Sequence, residues 1–225
     1  KASYYVSGRY YHQDGIFKYN PDKFDKYNLR AKGDVKLNDW ITFQNNTELS
    51  TYDYHYPMFA DGDGNIWRQF EHQGYPMAVV HNPDGTYTHT AVYTGVASFM
   101  EGNNASDLNN TVLRNTAGLI IKPVKGLTLK GDMTYGRTWE NEVRTNNYMD
   151  YSNSPGVISR FGRSLLREWN ENTTYLAGNI TANYVNKFAD KHDLNVLVGY
   201  NVESSRTKAL RAQRDGILVE SKPDL

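Results

Sequence analysis

The chain of 225 residues carries 25 basic and 25 acidic residues, a balance that gives no general attraction to nucleic acid or to an anionic surface. It has no cysteine, which excludes disulfides, thiolate zinc sites and thiol catalysis. A mean hydropathy of -0.72, with no run of about 18 apolar residues, excludes a transmembrane helix. A membrane-spanning β-strand stays open, because its alternating faces keep the average low.

Period-two alternation dominates the chain. The first predicted strand sets Tyr4, Val6, Gly8 and Tyr10 against Tyr5, Ser7, Arg9 and Tyr11. After an intermediate connection from Asp14 to Phe24, the clearest strand sets Tyr27, Leu29, Ala31, Gly33, Val35 and Leu37 against Asn28, Arg30, Lys32, Asp34 and Lys36. No helix places those apolar residues on one face, since helical neighbours recur every three or four positions. Beyond Trp40, Ile41, Phe43, Thr47 and Leu49 share a face, and Leu113, Ala117, Leu119 and Ile121 do so in the next strand. Leu127, Leu129, Gly131, Met133 and Tyr135 then alternate with Thr128, Lys130, Asp132 and Thr134. The last two strands present Leu176, Gly178, Ile180, Ala182 and Tyr184, then Leu194, Val196, Val198, Tyr200 and Val202. Seven strands result, most of ten or more residues, the length of transmembrane strands more than of soluble ones.

Connections alternate in length. Asn38-Asp39, Pro123-Val124-Lys125-Gly126 and Ala189-Asp190-Lys191 are tight turns, whereas 53–107, 140–168 and the stretch after about 206 are long. Short turns at one rim and long loops at the other describe an antiparallel transmembrane β-barrel wall. Trp40, Tyr184 and Phe188 sit beside tight turns, and Trp139 and Trp169 beside long loops, as two aromatic belts would require. Within the longest loop, Asn82-Pro83-Asp84-Gly85-Thr86-Tyr87 and Asp61-Gly62-Asp63-Gly64-Asn65 read as tight turns of small hairpins.

Four stretches, in order, resemble the barrel of the SusC/RagA family of TonB-linked outer-membrane transporters. Tyr4 to Gly15 is similar to its Y-x-x-S-x-x-Y-x-x-Q-x-G segment, and Phe24 to Arg30 with Asp39-Trp40-Ile41 to its R-x-N-x-D…D-W-L hairpin. Lys122 to Gly131 resembles its P-x-x-G-L-x-L-x-G turn, and His192 to Tyr200 its H-x-L-N-x-L-x-G strand. The resemblance implies an all-β wall segment, about seven strands of a plugged barrel of about 22, in the outer membrane of a Gram-negative, Bacteroidetes-type bacterium. On this reading residues 1–225 are a partial barrel, with the plug domain and remaining strands outside the chain. It further implies TonB-driven import of oligomeric nutrients, glycan ahead of peptide. The implied partners are a SusD-type surface lipoprotein, the TonB complex acting through the plug, and outer-membrane lipid.

Candidate sites follow from position. Arg30, Lys32, Asp34, Lys36, Lys130 and Asp132 would line the lumen. Tyr52, Tyr54, Tyr56, Trp67 and Phe70 are loop aromatics suited to stacking on a sugar ring or a peptide side chain. Arg144, Arg160, Arg163 and Arg167 gather in or near one loop as a candidate basic patch. Asp61, Asp63 and Asn65 resemble the start of a calcium loop, but an EF-hand needs Gly sixth and Glu twelfth, where Ile66 and His72 stand; the stretch reads as a solvated turn. His81 and His89 flank the Asn82 turn, too few ligands for a zinc site. No catalytic constellation or cofactor motif appears, so the reading is transport without enzymatic activity. A passive porin or structural outer-membrane protein, and a soluble β-sandwich carbohydrate-binding module, are the alternatives.

Overall fold

The computed structural model describes residues 1–61, 66–102, 104–189 and 191–217. The alternating stretches become long strands: β1 (Ala2–Asp14), β2 (Lys23–Lys36), β3 (Ile41–Pro57), β4 (Ala105–Ile121), β5 (Leu127–Asn146), the short β6 (Met149–Ser154) and β7 (Val157–Phe161), then β8 (Leu165–Phe188) and β9 (His192–Asp215). Seven of them form one antiparallel sheet in the order β1-β2-β3-β4-β5-β8-β9, and β6 pairs with β7 in a separate hairpin. Apart from the β6–β7 hairpin inserted between β5 and β8, sequence neighbours are sheet neighbours, as expected of an antiparallel all-β wall.

The tight turns all fall on one rim. In the β2–β3 turn the Asn38 carboxamide oxygen accepts from the backbone N–H groups of Trp40 (3.0 Å) and Ile41 (2.7 Å). Gly126 closes the β4–β5 turn with φ +86, and a Cβ there would lie 2.3 Å from the Val185 carbonyl oxygen. Glycine is thus required twice over, by conformation and by space.

The opposite rim holds residues 15–22, 58–61, 66–102 and 147–164. The strands reach further into this region than alternation indicated: β3 continues to Pro57, β5 to Asn146 and β9 to Asp215. There both faces are polar, so side-chain patterning fades while the backbone ladder continues. The longest loop also holds three helices that the sequence reading did not anticipate, α1 (Ile66–Gln73), α2 (His89–Tyr93) and α3 (Val96–Glu101). Thr88 caps α2, its hydroxyl accepting from the Ala91 N–H at 3.1 Å. The Asn82 turn forms as expected, with Gly85 at φ +86 and a bridge between His81 and Tyr87. Gly62, Asp63, Gly64 and Asn65 lie outside the described residues.

The two long loops share one apolar core of Ala60, Ala91, Val92, Ala97 and Met149, with Val80, Tyr87, Tyr151 and Phe161 packed around it. Asparagines tie this cap to the strand ends: Asn146 donates to the Phe59 carbonyl (2.7 Å), and buried Asn104 accepts from the Asn147 N–H (2.6 Å). Asn20, in the first connection, donates to the Phe99 carbonyl at 2.8 Å. Phe17 stacks on Trp67 and meets Phe99 edge-on, each at 4.2 Å.

Two outcomes follow. Gly126→Val costs on the order of 1–3 kcal/mol, and the full-length protein should show a reduced folded fraction by heat-modifiable gel mobility; an unchanged fraction refutes the turn assignment. Burial and donation to Glu101 raise the Tyr87 phenol to about 12. Because the folded value lies above the ordinary value of about 10, this contact stabilises the cap at lower pH and is lost as pH rises through about 12. Phenolate absorbance of the protein minus that of Tyr87→Phe should therefore show one group ionising near pH 12; ionisation near 10 would remove the contact.

Candidate functional site: a two-faced wall and its polar side

Register decides which residues meet. One row across the sheet reads Ala2, Val35, Phe43, Leu119, Gly131, Ile180 and Tyr200, and the row two residues toward the tight turns adds Ile41, Ile121, Leu129, Ala182 and Val198. These side chains stand open: Met133 is 60% exposed, Ile180 64% and Val198 65%. A contiguous apolar surface of this extent requires an apolar surrounding. On β5 the band runs from Leu127 to Trp139, twelve residue steps. At about 3.4 Å per residue and a tilt of about 45°, that is ~29 Å, the thickness of a bilayer's hydrocarbon core.

The upper edge of the band is aromatic, with Tyr10, Tyr27 and Trp139 in one row. Immediately above, the same face turns polar, with the His12–Asp25 contact (2.8 Å) and the His55–Asp107 contact (2.7 Å). The band carries polar interruptions that alternation passed over, among them Arg137 on β5, whose Cζ lies 5.2 Å from the Trp139 ring centroid, and a group formed by Asn115, Thr47 and Asn45. Asn115 donates to Thr47 (2.7 Å) and Thr47 to Asn45 (3.1 Å), so these side chains satisfy one another on the apolar face.

Trp169 corrects the belt expectation. Trp139 pairs with Asn172, so Trp169, three residues away, points to the other face. There it lies beneath Arg211, whose Cζ is 3.9 Å from the ring centroid.

The other face is predominantly polar, with Val112, Ile120 and Leu197 among the exceptions. Register puts Arg30, Lys32, Asp34, Lys36, Lys130 and Asp132 all on it. Asp34 accepts from Gln44 (2.8 Å), Asp132 from Asn179 (2.8 Å), and Asn179 from Asn201 (2.6 Å). Arg30 donates to Asn46 at 3.0 Å, and Glu48 stands in register between Arg30 and Arg114. Hydrogen-bonded polar rows of this kind suit water or a polar filling more than lipid.

The candidate aromatics divide into two groups. Tyr52, Tyr54 and Tyr56 belong to strand β3 instead of a loop, and alternation carries all three onto the polar face above the band. The Tyr54 and Tyr56 rings stack at 5.0 Å, and Phe24 lies 5.4 Å from Tyr52. Trp67 and Phe70, on α1, meet Phe17 in the loop cap instead. Tyr56 donates to Glu142 at 2.9 Å, as do Ser106 (2.8 Å) and Arg144 (2.7 Å). Burial raises the Glu142 carboxyl, but these three donors outweigh it and hold the group below the usual carboxylate range.

The basic patch is partly assembled. Arg144 and Arg167 are direct cross-strand partners, whereas Arg160 contacts Asp150 at 3.1 Å in the β6–β7 hairpin. His81 lies tilted against Tyr87, and His89 stacks on Tyr93 and meets Tyr151 edge-on at 5.0 Å. Asp61 is exposed, and among the described residues no group of three or more potential ligands could hold a metal ion.

The arrangement is the wall of a transmembrane β-barrel, one face toward lipid and the other toward a polar interior. Three solved chains share its backbone over 100% of its length. They are the RagAB peptide importer in the closed-closed state (TM-score 0.71, 19% identity), the same importer in the open-open state (0.70, 20%), and the RagAB peptide transporter (0.65, 20%). The chain spans 25% of each of those chains. At this identity the likeness establishes the fold. No protein-family model and no curated protein matches the sequence.

The band makes a directional prediction. In the full-length protein Met133→Lys, midway between Leu127 and Trp139, should destabilise the barrel by about 2–4 kcal/mol in a urea titration in lipid vesicles. Thr134→Lys, on the polar face, should cost less than about 1 kcal/mol. Equal effects would mean that neither face meets lipid.

Proposed function

We propose that this chain is part of the barrel wall of an outer-membrane, TonB-dependent importer of oligomeric nutrients. The carrying observation is the two-faced sheet with a band of bilayer thickness, superposable along its entire length on RagAB importer chains. Among the described residues both sheet edges, β1 and β9, are unpaired. Open edges are not tolerated in hydrocarbon, so the wall would be completed by further strands of the same barrel, with a plug in its lumen.

Peptide is the proposed cargo. The sequence resemblance put glycan first; the similar solved chains are described as peptide importers, which moves the preference. Lumen-facing Arg30, Lys32, Asp34, Lys36, Lys130 and Asp132 would then line the path or pair with the plug. Tyr52, Tyr54 and Tyr56 would stand at its extracellular mouth, beneath a SusD-type surface lipoprotein. TonB, acting on the plug, would supply the energy.

The test is uptake of a fluorescent peptide mixture by cells carrying the full-length gene, with and without TonB. Accumulation that depends on both the gene and TonB is expected. Uptake indifferent to TonB would favour a passive porin, and accumulation of oligosaccharides without peptides would return the cargo to glycan.

A further inference from the structure

On β8 and β9 the apolar band stops short. At the level of Trp139, its upper aromatic edge, register places Asn172 and Lys208; one row deeper, beside Arg137, it places Thr174 and Arg206. The result is a polar notch in the lipid-facing side of the wall, about 10 Å across from β5 to β9 at about 4.8 Å per strand. Three cations border it. The Arg137 guanidinium leans against the Trp139 ring, as a long side chain does when it carries its charge up out of hydrocarbon.

These cations are unmatched. The Arg137 Nε is buried and meets no acceptor among the described residues, and Arg206 and Lys208 enter no hydrogen bond or ion pair there. Glu140, Glu171 and Glu203 are near in sequence but belong to the other face. On the lipid-facing side of β5, β8 and β9 the one described carboxylate is Glu168, four residues beyond Asn172 and so about 14 Å along the strand. A strand beyond β9 would also stand about 14 Å from Arg137, because β8 and β9 intervene. Over β2 to β4 the same face carries Asp25, Asp53 and Asp107 just above the aromatic edge, so an anion is drawn to the β5–β9 end. Charge at membrane depth is costly without a partner, and here the approach lies open from the lipid side.

Beneath the notch the same face is hollowed. Gly131 and Gly178 present no side chain, and with Phe43, Met133, Ile180 and Tyr200 they outline an apolar hollow of about 680 Å³. Its floor lies four to six residues below Arg137, or ~10–14 Å at about 3.4 Å per residue and a tilt of about 45°, near the middle of a core about 30 Å thick. Notch and hollow thus match the head and the tail of a lipid in one leaflet.

We propose that the notch binds the phosphate of an outer-leaflet lipid through Arg137, Arg206 and Lys208, with an acyl chain of that lipid seated in the hollow below. This rests on the reading of the chain as an outer-membrane barrel wall.

Full-length protein in detergent micelles is titrated with phosphorylated lipid A and with the same lipid freed of phosphate, and bound lipid is counted by native mass spectrometry. The phosphorylated form should bind more tightly on the order of a hundredfold, the scale of two charge-assisted hydrogen bonds. Arg137→Gln, and Arg206→Gln on the exposed strand β9, should each lower that preference on the order of tenfold and leave the phosphate-free form unchanged. Gly178→Leu, which fills the hollow, should weaken both forms alike. Equal binding of the two forms by the unmodified protein would mean that protein carboxylates match the cations. Equal losses of both forms in the arginine variants would give those residues a structural role. Binding of inorganic phosphate without any preference between the lipids would make the notch an ion site. Each of these three results overturns the proposal, as does an unchanged affinity in Gly178→Leu. The wall reading fails separately, if Met133→Lys proves no costlier than Thr134→Lys; a wall that passes that test and shows no phosphate preference refutes the lipid site alone.

Discussion

A backbone crossing hydrocarbon has no water to turn to, so every N–H and C=O within the bilayer must find its partner in the protein. In this chain that demand is met by unbroken registers: each pairing of the seven-stranded sheet keeps a single alignment from end to end. Side chains alternate with period two, so a slip of one residue in any pairing would turn a whole strand's leucines and valines inward and its lysines and aspartates outward. The separation into two faces is a consequence of that alignment. The shifted pairing occurs only where lipid is absent, between Tyr151 and Ser154 in the β6–β7 hairpin.

Stabilisation is distributed accordingly. The described apolar core lies in the loop cap, around Ala60, Val92 and Met149. Among the described residues no apolar layer packs against the sheet, and its Leu29, Ile180 and Val202 side chains are more than half exposed. For the wall, lipid takes the place of a core; the cap, which stands in water, needs one of its own. Its small volume explains its reliance on buried asparagines, since Asn104 and Asn146 each secure a backbone group that the short helices and bends leave unpaired.

Within the band, alternation made the fold legible, because one face must be apolar and the other is free to be charged. Arg30, Lys32, Asp34, Lys36, Lys130 and Asp132 were assigned to one face by parity alone, and register keeps them together. Above the band that information disappears. From Arg206 to Asp215 both faces of β9 are mostly polar, so the sequence resembled a loop while the backbone stayed in the sheet. Tyr52, Tyr54 and Tyr56 read as loop residues for the same reason, although their spacing of two is itself a strand signature. The belt expectation fails at Trp169 because local patterning does not mark where β8 begins, and parity has no meaning without a starting point. The Glu142 cluster joins residues from β3, β4 and β5, a convergence that no local pattern encodes.

The strands do not end at a common height. Taking the row of Tyr10, Trp139 and Lys208 as the level of the upper interface, β1 continues four residues to Asp14, whereas β9 continues seven to Asp215. With about 3.4 Å per residue and a tilt of about 45°, the parapet climbs from ~10 Å at β1 to ~17 Å at β9. The rim is therefore a ramp, with its arginine-rich corner near the summit. The loop cap, which springs from the ends of β3, β4, β5 and β8, is therefore carried on the higher part of that ramp.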